Sequence, residues 1–317
     1  MKEKYIRFDW AIKRILRDKA NFDVLEGLLT VLIGEKILIK EILESESNQE
    51  TYEDKFNRVD IKALNSKNEI VIIEVQLSRE VHFLERILYG VSKTICEHIS
   101  LGNDYDKIKK VYSISILYFD LGHGADYLYY GKTDFTGVHT NDTLQITKRE
   151  KDAMLPTKDK SMGTKADASS VFPEYFLIRV NEFNDHATTP IEEWMAYLKD
   201  GIIKEDTTTP GLQAAKEKLK YMEMNNQERL AYERHMDNLR IQNDVIYTAK
   251  LDGIEEGRAE GRVEGRAEGR AEGRAEGIVE GIEQERYSNA KKMKEAGIDD
   301  SVISKISGLT LDTIKNL

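Results

Sequence analysis

The chain has 317 residues, of which 40% are hydrophobic, and this is enough apolar material for one large domain or two smaller ones. Its formal net charge of −10 argues against a strongly basic protein that coats nucleic acid, although metal ions at an acidic site can still meet phosphate. A single cysteine, Cys96, excludes an intramolecular disulfide, and without a signal peptide or a run of about 20 apolar residues we expect a cytoplasmic protein with no membrane span.

Two helices are predicted near the N-terminus. Residues 8–17, FDWAIKRILR, have apolar side chains at helical spacing. Residues 21–33 form a second helix with one broad apolar sector, and Glu26 lies at the border of that sector. A carboxylate at such a border can be partly desolvated and still reach a cleft.

A β-hairpin is predicted after an acidic loop at 44–56. Residues 58–64, RVDIKAL, alternate between apolar and polar side chains, as in a half-buried strand. The sequence NSKN at 65–68 is typical of a turn, and residues 70–77 form the next strand. Within that second strand the run IVII is followed by Glu74 and Gln76, and polar groups in an apolar strand are costly unless they have partners.

The following segments predict an α/β fold with a mixed sheet. Residues 80–99 form a helix with an apolar stripe that consists of Val81, Leu84, Leu88, Val91 and Ile95. Further strands are predicted at 111–119 and, from weaker patterns, at 127–135, 143–148 and 175–180. The polar segment 150–170 has no periodicity and is predicted to be a loop or insertion.

The C-terminal third of the chain is charged and favours helices. We predict an α/β domain at 1–185, a helical segment at 186–250, a tetrad repeat of the GRAE type at 251–283 and a small helical tail at 284–317 that resembles a helix-turn-helix. The repeat places like charges four residues apart and a glycine in every tetrad, so an isolated helix there would be weak. A flexible spacer and an oligomerising helix both remain open for it.

The pairing register of the hairpin decides whether Asp60 meets Glu74. A loop of odd length places the two residues opposite each other, on one face of the sheet, whereas a four-residue NSKN loop pairs Asp60 with Ile73. Two carboxylates close together repel unless a cation or a proton lies between them. Mg²⁺ prefers such hard oxygen ligands and often takes only one or two protein carboxylates.

These residues resemble a known pattern. Asp60, a spacer and then Glu74-Val75-Gln76 in an apolar strand resemble the PD-(D/E)XK nuclease superfamily, except that Gln76 stands where the pattern ends in Lys. Together with FDWAIKRIL near the start and LERILYGVSK after the hairpin, the chain resembles the recombination-promoting nuclease/transposase family of that superfamily, over roughly residues 5–200.

The resemblance implies a restriction-endonuclease-like core with the element order αβββαβ. It also implies Mg²⁺-dependent hydrolysis of DNA, with Mn²⁺ able to substitute. Asp60, Glu74 and the Val75 carbonyl would be the metal ligands, and Glu26 would fill a first acidic position, with Asp9 as the alternative.

The resemblance also implies roles for three further residues. Gln76 would orient a water or a phosphate oxygen, while Arg86 and Tyr89 on the next helix could contact the DNA backbone, although Tyr89 is equally compatible with a core position. The competing interpretation is a catalytically weak or inactive oligomeric module that binds DNA or a protein partner, because an amide supplies only hydrogen bonds where the superfamily has an ammonium. DNA is the expected partner, and the C-terminal helices are expected to form a homo-oligomer.

Overall fold

The protein is described here by a computed structural model that covers residues 5–44, 59–99, 105, 108–147, 149–150, 171–184 and 186–317. The predicted loops at 44–56 and 150–170 lie almost entirely outside these ranges. The chain divides into two compact units, Met1–Glu233 and Arg234–Leu317.

The first unit contains an α/β core followed by helices. Its elements in chain order are α1 (Phe8–Arg14), α2 (Phe22–Ile33), β1 (Ile39–Leu43), β2 (Ile61–Asn65), β3 (Ile70–Gln76), α3 (Phe83–Glu97), β4 (Val111–Leu117), β5 (Leu128–Gly131), β6 (Glu174–Arg179), α4 (Pro190–Asp200) and α5 (Leu212–Lys218). The series from α2 to β4 has the order αβββαβ, so the predicted restriction-endonuclease-like fold is confirmed.

In the described part of the chain six strands form one mixed sheet, in the order β1-β2-β3-β4-β6-β5. The pairs β1–β2, β2–β3 and β5–β6 are antiparallel, whereas β3–β4 and β4–β6 are parallel. The first four residues of β3 are buried, and the strand lies inside the sheet with a paired neighbour on each edge. This explains the continuous IVII run, which is typical of a strand covered on both faces.

Helix α3 joins β3 to its parallel neighbour β4 and packs on the sheet with a different face from the one we predicted. Its buried residues include Phe83, Ile87 and Val91, which join an apolar cluster with residues of β3 and β4. The predicted stripe was wrong at Val81, Leu84 and Leu88, which are 86%, 55% and 59% exposed. Its other two members fit, since Val91 is buried and Ile95 packs against the cluster. The helix has apolar residues at adjacent positions, so the sequence is compatible with two apolar stripes one residue apart.

The turn between β2 and β3 has an odd number of loop residues, and this sets how the two strands pair. Asn65 Oδ1 accepts the backbone N–H groups of Lys67 and Glu69, both at 2.9 Å, and the Asn65 N–H donates to the Glu69 carbonyl. Asn68 has a φ of +61°, a left-handed conformation that asparagine tolerates better than most residues. The loop between the paired residues Asn65 and Glu69 therefore has three residues, not the four of NSKN.

Other strand predictions differ in detail from the structure. Strand β1 at Ile39–Leu43 was not predicted, and it pairs with β2 at the outer edge of the sheet. No strand forms at 143–147, where an isolated bridge joins Thr143 to Thr136. That part of the 143–148 prediction was wrong.

The helices α4 and α5 pack against α2 and so belong to the first unit. Close approach is possible because two glycines face each other: a Cβ added to Gly27 would lie 2.2 Å from the Cα of Gly211. Consequently the helical segment that we predicted for 186–250 is divided between the two units.

The second unit contains most of α6 (Asn226–Glu295), followed by α7 (Asp300–Ser307) and α8 (Leu311–Lys315). Helix α6 has 70 residues and runs through the whole tetrad repeat. Its C-terminal end packs with α7 and α8 around Ala290, Ile303 and Ile314. No helix in the described ranges is long and apolar enough to cross a membrane.

Candidate active site at the ends of strands β2 and β3

Glu74 and Gln76 lie at the C-terminal end of β3, where the strand leaves the apolar core. Their side chains share one face of the strand because they are two residues apart. The Glu74 side chain is only 13% exposed, so its carboxylate needs a nearby partner.

Asp60 lies immediately before β2. Its side chain extends the hydrogen bonding between β2 and β3 by one step. Its Oδ2 atom accepts the Val75 backbone N–H at 2.7 Å. The N–H and the carbonyl of one residue in an extended strand point to the same edge, so the Val75 carbonyl also faces the Asp60 side of β3. Asp60 and the Val75 carbonyl are thereby placed at one point on the sheet.

The observed register is the one that a site shared by Asp60 and Glu74 requires. Ile61 pairs with Ile73, and one further step along the two strands places Asp60 opposite Glu74. The alternative register, in which Asp60 pairs with Ile73, does not occur.

Two cations neutralise these carboxylates. The Lys13 Nζ atom, from α1, is 3.6 Å from Asp60 Oδ1. The Arg86 guanidinium, from α3, forms an ion pair with Glu74, donates to Gln76 Oε1 at 3.2 Å and pairs with Glu80 at 2.6 Å. Each of the two carboxylates is therefore paired with a cationic side chain from a different helix.

Arg86, a candidate for contact with the DNA backbone, lies next to Glu74 and Gln76. Its guanidinium is held among site residues, and burial lowers the pKa of Arg86 while the negative charge of Asp60 opposes that effect. Tyr89, the other candidate for DNA contact, lies three residues further along α3 and is 37% exposed.

Glu26 is not brought to this site. Its Oε1 atom accepts the backbone N–H of Ile39 at 2.7 Å, and Ile39 pairs with Asn65 at the turn end of the hairpin. Asn65 and Asp60 are five residues apart on an extended chain, which corresponds to about 16 Å. The role that we expected for Glu26 in holding metal-bound water is therefore corrected: its carboxylate anchors β1 to α2.

Asp9, the alternative acid, lies at the correct end of the sheet. It is buried and forms an ion pair with Arg7 at 2.8 Å, and the Arg7 guanidinium stacks 5.1 Å from the centre of the Tyr118 ring. The Tyr118 N–H in turn donates to the carbonyl of Gln76. Burial, and after it the negative charge of Asp9, raises the pKa of Tyr118.

The donor set suits a hard divalent cation. Asp60 and Glu74 supply carboxylate oxygens and Val75 supplies a carbonyl oxygen, which are the ligand types that Mg²⁺ prefers. Within the described ranges no group of three or more His, Cys, Asp or Glu side chains is arranged to hold a metal. Two carboxylates and a carbonyl would leave the remaining coordination positions to water, as is usual for Mg²⁺.

Residues 6–147 match the model of a protein family described as PD-(D/E)XK nuclease family transposase. Over these residues the chain is similar to that family. The recognised range of the PD-(D/E)XK domain includes all the candidate site residues, namely Lys13, Asp60, Glu74, Val75, Gln76 and Arg86. No curated protein and no solved structure is significantly similar to the chain.

The match indicates a nuclease- or transposase-related function for residues 6–147. One residue of the site, Lys13, was missed by the reasoning from sequence. A signal for it was present, because Lys13 lies four residues after Asp9 in FDWAIKRIL and thus on the same face of the predicted helix.

Proposed function

We propose that the protein is a Mg²⁺-dependent DNA endonuclease whose breaks promote recombination. The observation that carries this proposal is the hydrogen bond from the Val75 N–H to Asp60, in a hairpin register that places Asp60 opposite Glu74. It supports the proposal because Asp60, Glu74 and the Val75 carbonyl carry hard oxygen atoms on neighbouring strand ends, within residues that match a nuclease family.

Asp60, Glu74 and the Val75 carbonyl would hold the metal. Bound Mg²⁺ supplies positive charge to the phosphate and lowers the pKa of a coordinated water, and Mn²⁺ can serve in the same way. The two carboxylates are 16% and 13% exposed, so they are shielded from bulk water yet accessible to a ligand.

Gln76 would orient a water or a phosphate oxygen through its amide. Its Nε2 atom now donates to the Ser78 carbonyl at 3.2 Å and its Oε1 atom accepts from Arg86. An amide neither gains nor loses a proton near neutral pH, so Gln76 would act through hydrogen bonds and position alone.

Arg86 would change partner when the site is loaded. The guanidinium now neutralises Glu74, and a divalent cation at Glu74 would take over that neutralisation. Arg86, with Tyr89 further along α3, would then be free to meet a DNA phosphate, for which a guanidinium fork is well suited.

The test is cleavage of supercoiled plasmid by the full chain with Mg²⁺ or Mn²⁺, comparing wild type with Glu74→Gln. We expect wild type to cut and Glu74→Gln to lose at least about 100-fold in rate, since a charged ligand becomes a neutral one. Glu80→Gln is the matched control, because Glu80 also pairs with Arg86 but is outside the proposed ligand set.

Equal cutting by wild type and Glu74→Gln would show that the assigned site is wrong. If none of the proteins cuts but all bind DNA, the alternative holds, namely an inactive oligomeric module that binds DNA.

We also propose that α6 mediates homo-oligomerisation. Apolar side chains including Ile241, Val245, Leu251 and Ile254 are exposed along the helix, and each glycine of the repeat weakens it by about 1 kcal/mol relative to alanine. A partner helix would compensate by covering these side chains. Light scattering after size exclusion should show more than one chain per particle, and Val245→Glu should lower that number; a monomeric wild type would exclude this role.

A further inference from the structure

The site contains an ammonium group that its sequence motif does not show. The superfamily pattern ends in Lys at the position of Gln76, yet the Lys13 Nζ atom reaches the site from α1, 3.6 Å from Asp60 Oδ1. We propose that Lys13 is a catalytic residue that supplies the positive charge missing at position 76. This inference rests on the proposed endonuclease function and adds a residue to it.

The helix that carries Lys13 is anchored by aromatic contacts. Helix α1 is anchored by Phe8, which contacts Trp194 edge-on, and by Trp10, which contacts Tyr232 edge-on. Asp9 adds a buried ion pair on the face of the helix that also carries Lys13.

The charged end of Lys13 is, in contrast, accessible. Its side chain is 50% exposed, and its contact with Asp60 is a single ion pair at a distance longer than a hydrogen bond. Exposed ion pairs of this kind add little stability, so the ammonium is free to exchange Asp60 for a nearby phosphate. An anchored helix with an accessible ammonium is suited to presenting a charge to a substrate.

Lys13 would act by electrostatics and hydrogen bonding, and would take no part in proton transfer. In the hydrolysis, a water oxygen forms a bond to phosphorus and the bond from phosphorus to the leaving oxygen breaks. The water hydroxyl ends on phosphorus and its proton ends, through solvent, on the leaving oxygen. The ammonium would donate to a non-bridging phosphate oxygen as negative charge develops on it.

The test compares Lys13→Met with wild type and with Lys19→Met, which removes a lysine from the segment that follows α1. We expect Lys13→Met to lower kcat for plasmid cleavage about 100-fold with little change in KM, the loss typical of one transition-state donor. Adding Gln76→Lys to Lys13→Met should restore at least about tenfold, because it returns an ammonium to the site.

A second readout separates catalysis from damage to the site. Mn²⁺ affinity, measured by calorimetry without DNA, should be unchanged or tighter in Lys13→Met, since a cation next to Asp60 has been removed. Weaker Mn²⁺ binding together with lost activity would mean that Lys13 only maintains the site, and this would overturn the inference.

The remaining outcomes distinguish the two proposals. If Lys13→Met cuts at the wild-type rate, the role of Lys13 is refuted while the endonuclease function stands. If wild type does not cut with either metal, both proposals fail.

Discussion

The hydrogen bond between Asp60 and Val75 allows stability and catalysis to be tested separately at one residue. Asp60→Ala removes the acceptor of a 2.7 Å bond, and Val75, whose N–H is the donor, is only 4% exposed. A buried donor left without a partner costs about 1–3 kcal/mol. Asp60→Asn keeps an oxygen that can accept this bond, so it should cost less than about 1 kcal/mol, including the exposed pair with Lys13.

These free energies correspond to measurable melting temperatures. The first unit contains 233 residues, and for a domain of that size 1 kcal/mol shifts Tm by about 2–4 °C. We therefore expect Asp60→Ala to lower Tm of this unit by about 4–8 °C for a loss of about 2 kcal/mol, and Asp60→Asn by less than half of that. The measurement is thermal unfolding by circular dichroism in metal-free buffer.

The two variants should nevertheless be equally inactive, because both lack the carboxylate charge that would hold a divalent cation. Plasmid cleavage and Mn²⁺ titration check this expectation. An Asp60→Asn protein that cuts like wild type would refute the role of Asp60 as a metal ligand. An Asp60→Ala protein that is as stable as wild type would refute the structural role of its bond to Val75.

Three further predictions concern the fold. Gly27→Ala should destabilise the first unit by about 1–3 kcal/mol in chemical denaturation, because its Cβ would lie 2.2 Å from the Gly211 backbone; Gly257→Ala, where an added Cβ meets nothing, should instead increase helicity. Asn68→Gly should raise the free energy of unfolding by up to about 1 kcal/mol, because Asn68 has a φ of +61°, and an unchanged or lower value would contradict this account of the turn. Hydrogen bonds from the two residues before α4 lower the pKa of Glu192 to about 2 from an ordinary value of 4.5. The stabilisation is therefore present above about pH 4.5 and lost as the pH falls towards 2, so melting curves of Glu192→Gln should lack this pH-dependent loss.

Much of the core was predictable because it follows from local patterns. A run of four β-branched residues in β3 specifies a central strand, and the apolar sector of α2 specifies a helix that covers the sheet. The same strand displayed Glu74 and Gln76 as polar residues that needed partners. The choice of Glu74 as a candidate ligand thus came from chemistry that is visible in one short segment.

The sequence also left two equally periodic choices open on α3. Phe83 and Leu84 are both apolar, as are Ile87 and Leu88, so periodicity alone cannot decide which pair is buried. Packing on β3 and β4 selects Phe83 and Ile87. The choice depends on the shape of a surface built from distant parts of the chain.

The composition of the site was decided by the local conformation of one turn and by contacts between residues far apart in sequence. The side chain of Asn65 sets the odd register that places Asp60 opposite Glu74, and an even loop would have separated them. Glu26 had the expected local setting but lies at the other end of the hairpin, whereas Lys13 entered the site from α1. The pattern of apolar residues along a chain indicates which side chains are buried. It does not indicate which end of a strand a helix will contact, because that depends on how the helices and the sheet pack together.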